Sequence, residues 1–304
     1  MKAPSFAYAK PRTLEEAFDL LERHGEGARV LAGGQSLIPS LNMRLSAPEL
    51  LVDITGLPGL AEIRLDRGVL RIGALATHAR IGKSEEVRKH VPMLAEAVPH
   101  IAHAAIRNRG TLGGSLALAD PAAEYPACAV ALGATVVVQG RAGERLVPAA
   151  EFFRGLYETD LAPGEIVAGA EFPALKKDER WAFLELTRRH GDYAIIGLAA
   201  FRGEEQRFVY FGAGATPVLA KQASRSSGLE NCLEIAIENN KELEAAKLRV
   251  SRQKFMEKAA LDLGATRFFY STEEHQKRVS SSGIASLGIQ QNFSFPTKYN
   301  SQTK

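Results

Sequence analysis

The sequence predicts an α+β protein: two lobes in tandem, then a small third domain of antiparallel sheet and helices. Three observations carry this. A strand–glycine–helix–strand block fills residues 1–55. Two hairpin signals lie within residues 56–175. Three further strand-like runs follow a charged linker at 173–179.

The elements follow in order. Thr13-Leu14-Glu15-Glu16 reads as a capping box, and Leu14, Ala17, Phe18 and Leu21 recur at helical spacing until Gly25. Arg29–Ala32 reads as a strand running into Gly33-Gly34, Ser36–Leu45 as a helical turn, and Leu50–Ile54 as a buried strand. In the second lobe, residues 62–65 and 69–72 flank Asp66-Arg67-Gly68, and residues 135–139 and 144–147 flank Gly140-Arg141-Ala142-Gly143. Hairpins of this kind make an antiparallel sheet. Helical patterns cover 84–106 and 124–132.

Beyond the linker, Trp181–Leu186, Ala194–Phe201 and Arg207–Phe211 form the third sheet, in a domain expected over 176–279. The composition changes near residue 222. Arginine leads lysine 19 to 7 upstream, and lysine leads 7 to 5 downstream. Gly228–Leu263 keeps helical character, and residues 280–304, rich in Ser, Gln, Asn and Lys, are expected to form a poorly ordered tail.

Composition excludes several functions. A net charge of +3 on 304 residues gives no electrostatic case for nucleic-acid binding. The two cysteines, Cys128 and Cys232, exclude a disulfide framework and a four-thiolate iron–sulfur cluster within one chain. No run approaches the roughly 20 apolar residues of a membrane span, and Met1–Ser5 opens no secretory signal. The expectation is a cytoplasmic protein.

Two glycine motifs carry the chemistry. Ala32-Gly33-Gly34-Gln35-Ser36 and Thr111-Leu112-Gly113-Gly114-Ser115 each offer backbone N–H groups that side chains do not screen. Such amides can cradle a pyrophosphate. Ser36 can add a hydroxyl donor and cap the next helix, whose dipole favours an anion. Alone, each motif can equally be a plain glycine turn with a Ser or Thr cap. Together, without a phosphate-loop lysine, they point to a dinucleotide between two lobes.

Arg107 and Arg109 can screen phosphate charge, although arginines so placed more often brace a loop. Asp120 can accept bonds from ribose or ring N–H groups, or cap a helix before Pro121. Tyr193, in Arg188-Arg189-His190-Gly191-Asp192-Tyr193, can lie against a flat heterocycle, or sit in a hairpin connection with exposed charges.

Other signals fail. Gly212-Ala213-Gly214-Ala215-Thr216-Pro217 has Pro where the dinucleotide fingerprint requires its third Gly. His100 and His103 lack a completing ligand set and read as ordinary helix residues. Cys128 lies in an apolar helical segment and reads as packed.

At this point residues 3–222 resemble the FAD-binding medium subunit of molybdenum hydroxylases, a group that includes carbon monoxide dehydrogenase and bacterial relatives of xanthine dehydrogenase. The likeness rests on residues 32–39, Leu41–Leu45, Ile106–Ser115, Arg189–Tyr193 and Phe211–Pro217. It implies a two-lobed FAD-binding domain of the vanillyl-alcohol-oxidase/PCMH type and a third domain of sheet plus helices. Ala32, Gly33, Gly34, Gln35 and Ser36, with Thr111, Gly113, Gly114 and Ser115, would hold the pyrophosphate. Asp120 would contact the cofactor and Tyr193 would neighbour the isoalloxazine.

The resemblance also implies partners: a large subunit carrying the molybdenum cofactor and a small one carrying two 2Fe–2S clusters, as a dimer of heterotrimers. This chain would pass electrons from those clusters, through FAD, to an external acceptor. A stand-alone flavin oxidase or reductase and a non-enzymatic nucleotide-binding assembly protein are the alternatives. After Gln222 the sequence departs from the family's pattern, which usually continues with an alanine- and arginine-rich helix pair.

Overall fold

A computed structural model describes residues 2–219. The domain expected over 176–279 is therefore described only as far as residue 219. The helical stretch Gly228–Leu263, Cys232 and the expected tail at 280–304 lie outside the described residues.

The first lobe contains β1 (Ala7–Ala9), α1 (Leu14–His24), β2 (Ala28–Leu31), α2 (Leu37–Asn42) and β3 (Leu50–Asp53). Thr13 caps α1 by accepting from Glu16 N, and the Glu16 carboxylate accepts from Arg12 N, one residue before the usual capping-box partner. Gly25, at φ +48°, ends the helix with its N–H on Leu21 O. The sheet is parallel in the order β1-β3-β2. Asp53 at its end accepts from Thr55 N and Oγ1 and from Tyr8 Oη. Burial works against that charge, but the bonds from Thr55 and Tyr8 win and hold the carboxyl below its ordinary range.

The second lobe contains β4 (Ile63–Asp66), β5 (Val69–Gly73), α3 (His78–Lys83), α4 (Glu85–His90), α5 (Pro92–Ala97), α6 (Ala104–Arg107), α7 (Leu112–Leu118) and α8 (Glu124–Ala131). It continues with β6 (Thr135–Gly140), β7 (Gly143–Pro148), α9 (Ala149–Phe152), β8 (Phe153–Gly155), β9 (Glu158–Thr159) and β10 (Ile166–Pro173). Both expected hairpins form. Arg67 and Gly68 supply the two positive φ values that the first turn requires.

The five-stranded sheet runs β4-β5-β10-β6-β7. Its central strand, β10, joins the hairpins and was not anticipated from the sequence. The expected linker starts inside it: Pro173 closes the strand, and Ala174 and Leu175 still donate to Gly68 O and His90 O. The helical pattern over 84–106 resolves into the separate α4, α5 and α6.

The third sheet, β11 (Arg180–Leu186), β12 (Ile196–Arg202), β13 (Gln206–Phe211) and β14 (Val218–Leu219), is antiparallel in sequence order. It shares a core with the second lobe. Phe183, Phe201, Val209 and Phe211 join the cluster around α8, whose eight residues are all buried. A helix apolar on every side belongs inside. Cys128 is among those residues, as a packed thiol. On the other side, Val137, Ile166 and Ala168 of the five-stranded sheet complete the core of the first lobe.

Two carboxyls and two imidazoles around α8 are buried or half-buried. Burial drives the carboxyls up, to about 7 for Glu124 and about 8 for Glu185, with mutual repulsion adding to Glu185. Burial first, then a neighbouring cation or imidazole, pushes His78 and His100 down to about 4. The ordinary values are 4.5 for the glutamates and 6.5 for the histidines.

From pH 6.5 to about 8 the folded chain holds glutamate protons that the unfolded chain has released, so stability falls as pH rises. Below 6.5 the unfolded histidines take up protons first, which opposes the gain from the glutamates. The denaturation midpoint is therefore expected to fall between pH 6.5 and about 8, and Glu185→Gln to flatten that fall. Urea titrations across that range check it, and a midpoint that rises with pH contradicts it.

Candidate functional site: two glycine turns in contact

The two glycine motifs meet. A methyl built on Gly33 would lie 2.1 Å from Arg109 O and 2.8 Å from Gly110 Cα, so the first turn rests directly on the backbone that leads into the second motif. A methyl on Gly114 would lie 4.0 Å from the Ala32 Cβ. Only a residue without a side chain fits at Gly33.

The first turn keeps its donors free. Among the described residues, the N–H groups of Gly33, Gly34, Gln35 and Ser36 donate to no protein acceptor. Gly34 takes φ +70°. The Gln35 amide folds back, donating from Nε2 to Gly33 O at 2.9 Å and stiffening the turn. Ser36 precedes α2 as expected, but its hydroxyl makes no capping bond.

The second motif is built differently, which corrects the reading of it as a set of free amides. Leu112 N donates to Ala76 O, Gly113 N to Ala74 O, Gly114 N to Thr111 Oγ1 and Ser115 N to Thr111 O. Thr111 is the N-cap of α7 and bridges Thr77. The glycines here serve close packing, since a methyl on Gly113 would lie 2.4 Å from Ala74 Cβ. The motif offers an uncluttered wall. The hydroxyl of Ser115, like that of Ser36, has no protein partner among the described residues.

Arg107, upstream, braces the loop. Arg107 Nη1 donates to Pro99 O, Ile101 O and Ala102 O, at 3.3, 2.8 and 2.7 Å.

At the other end of α7, a helix about 10 Å long by its seven residues, lies a second group of polar side chains. Ala119, in the left-handed conformation, ends the helix and delivers Asp120, whose Oδ1 accepts from Ala122 N at 2.9 Å. Burial raises the Asp120 carboxyl. Tyr193 is 76% exposed. Partial desolvation, then the Asp120 and Glu124 carboxylates, raise its phenol.

Tyr157 joins them, raised by desolvation and then by Asp120 and Tyr193. Sequence reasoning missed it. A lone tyrosine in the Gly155–Glu158 turn carries no motif, and its positive φ of 58° is visible only in the fold. The rejected glycine cluster at 212–217 also has a place. Gly212 N donates to Pro121 O at 2.8 Å, and a methyl there would lie 2.9 Å from Ala194 O. Gly212 thus ties the Asp120 turn to the Tyr193 loop.

The chemistry fits a long ligand with anionic oxygens at one end and a flat ring at the other. Four amides and two hydroxyls without a partner among the described residues lie near the glycine turns, and a carboxyl with two tyrosines lies beyond α7. No group of three or more potential metal ligands occurs among the described residues. Gly33→Ala is expected to destabilise the chain by about 1–3 kcal/mol, because the contacting atoms are backbone and cannot turn aside. Chemical denaturation checks this, and an unchanged midpoint would contradict the seating of the two turns.

Known proteins place the chain in a family. The model of the FAD binding domain in molybdopterin dehydrogenase matches residues 4–175. The 6-hydroxypseudooxynicotine dehydrogenase complex subunit alpha of Paenarthrobacter nicotinovorans is 43% identical, over 73% of this chain and 78% of its own length. Caffeine dehydrogenase subunit beta of Pseudomonas sp. (strain CBB1) is 38% identical, over 77% and 79%.

Among solved structures, carbon monoxide dehydrogenase from Hydrogenophaga pseudoflava superposes with a TM-score of 0.73 at 34% identity, covering 78% of this chain and 88% of that one. Quinoline 2-oxidoreductase from Pseudomonas putida 86 gives 0.73 at 36%, covering 86% and 98%. The two-lobed α+β architecture expected from the sequence is the one these structures share. The chain belongs to the family of FAD-binding domains of molybdopterin dehydrogenases, as an oxidoreductase subunit.

Proposed function

We propose that this chain is the FAD-carrying electron-transfer subunit of a molybdenum hydroxylase. It takes electrons from the 2Fe–2S clusters of a small subunit and passes them to an external acceptor, while a large subunit with the molybdenum cofactor oxidises the substrate. The observation that carries this is the seating of Gly33 on Arg109 and Gly110, which brings the free amides of the first turn to the wall formed by the second.

Bound FAD would supply the redox chemistry; the protein supplies position and electrostatics. In this reading the amides of Gly33, Gly34, Gln35 and Ser36 hold the pyrophosphate, with Ala32, Thr111, Gly113, Gly114 and Ser115 shaping the wall against it. Asp120 accepts hydrogen bonds from the cofactor, and Tyr193 covers its ring from solvent. No side-chain base is assigned, because electron transfer from clusters requires none.

The names of the relatives, each a subunit of a dehydrogenase or hydroxylase, support the partners. A dimer of heterotrimers is the assembly we infer, in the cytoplasm, where two thiols stay reduced. No helix among the described residues is long and apolar enough to cross a membrane.

Two outcomes are expected. The purified chain binds FAD at one equivalent and is yellow. Asp120→Ala weakens that binding by roughly 5- to 150-fold, the loss of about 1–3 kcal/mol for one desolvated polar contact. Titration of flavin fluorescence measures both, and a colourless chain that takes up no FAD at micromolar concentration contradicts the proposal. Co-expressed with its partner subunits, the chain's flavin should bleach when the oxidisable substrate is added anaerobically. Bleaching by a small molecule without partners would instead indicate a stand-alone enzyme.

A further inference from the structure

The loop between β11 and β12 carries Tyr193. It leaves β11 after Leu186 and returns at Ile196. Its base is closed by Ile195 N on Leu186 O at 2.9 Å, and Asp192 N turns back to Arg189 O at 3.0 Å. The Tyr193 side chain makes no hydrogen bond to the described residues.

Besides the contact of Gly212 with Ala194 O, the second lobe supplies contacts that fix the loop. Gly191, at φ +85°, presses on the segment after α5: a methyl there would lie 2.7 Å from Ala102 O and 3.3 Å from His103 Nδ1. The His190 ring lies 6.1 Å from the His100 ring, which meets Phe183 edge-on at 5.2 Å. His100 Nδ1 lies 3.4 Å from Oε2 of Glu185, one residue before β11 ends. The segment under this contact is the one whose carbonyls Arg107 gathers.

Glu185 has no evident structural reason to be a glutamate. Its side chain is wholly excluded from solvent, and among the described residues neither carboxyl oxygen has a hydrogen-bond partner. An unpaired carboxylate so placed would be costly, and the group keeps its proton instead. The groups facing it are His100 on the 99–103 segment and Glu124 and Cys128 on α8, with His190 on its own loop beside His100. Gly197, opposite it on β12, has no side chain to titrate. At neutral pH the pair is a carboxylic acid beside a neutral imidazole. The acid O–H can donate to Nδ1, and the two need close by only a few tenths of an ångström.

We propose that His100 and Glu185 are positioning residues, a neutral latch that fastens the Tyr193 loop to the second lobe and so holds Tyr193 over the cofactor cleft. The inference rests on the FAD reading for what Tyr193 covers, but the latch itself belongs to the chain alone. Loss of the Glu185 proton would place an anion beside Glu124 and remove the donor, so alkaline pH opens the latch.

Trypsin provides the test, because Arg188 and Arg189 are exposed on this loop. The full chain, without FAD, is digested at about pH 7 and about pH 9.5, and cleavage at Arg188 and Arg189 is timed by mass spectrometry against the same peptides in denatured chain. Wild type is expected to be cut roughly fivefold or more faster at the higher pH, as the local opening becomes easier by about 1 kcal/mol. Glu185→Gln, whose amide can still donate to His100, should resist like wild type at about pH 7 and lose the alkaline step. His100→Ala should be cut faster at both.

An alkaline step that survives in Glu185→Gln overturns the latch. So does a Glu185→Gln chain that is already cut rapidly near neutrality, and neither result depends on His100→Ala folding. Added FAD separates the two readings. If it protects Arg188 and Arg189 in wild type but not in Tyr193→Ala, Tyr193 covers the cofactor. If it changes neither while the latch steps hold, the FAD reading fails and the latch stands.

Discussion

Everything in the site depends on one contact between main chains. Gly33 rests on the carbonyl of Arg109 and the α-carbon of Gly110 with no space for a single extra carbon. That contact sets the distance between the lobes at the place where a ligand would lie. It also explains why the two turns differ. One keeps its amides unpaired, and the other spends them on Ala74, Ala76 and Thr111 to make a stiff surface. A cradle needs free donors on one side and something rigid to set them against. The protein divides those two tasks between motifs that look alike in sequence.

A second theme is the continuity of support behind the cleft. Arg109 seats the first turn, and Arg107, two residues earlier, donates to the carbonyls of Pro99, Ile101 and Ala102. That segment bears Gly191, and Gly212 joins Pro121 to the strand end beside Tyr193. Polar residues at opposite ends of α7 are therefore set by one backbone framework. The buried ionisable groups around α8 lie within the same framework, so the region that positions Asp120 and Tyr193 also holds carboxyls and an imidazole whose protonation burial shifts.

Much of this was legible from sequence because its signals are local. Thr13 and Gly25 announce α1, Arg67-Gly68 announces a hairpin, and the glycine pairs announce close backbone approach. What was not legible depends on pairing at a distance. β10 is buried along most of its length and so lacks the alternation that marks a half-exposed strand. β1 has only three residues and is a strand because β3 lies beside it. The commitment of the second motif's amides depends on Ala74 and Ala76, some forty residues earlier in the chain, and no spacing rule reports that. Tyr157 has meaning only because its turn ends near Asp120.

The strand orders carry a consequence for how the polypeptide assembles as it is made. In the first sheet the middle position belongs to β3, the last of its three strands to be synthesised, so β1 and β2 have no partner until residues 50–53 emerge. In the larger sheet both hairpins can close early, yet they share no edge until β10 arrives between them. Both of these sheets wait for their latest strand, and a nascent chain halted before residue 166 would expose two unjoined ribbons.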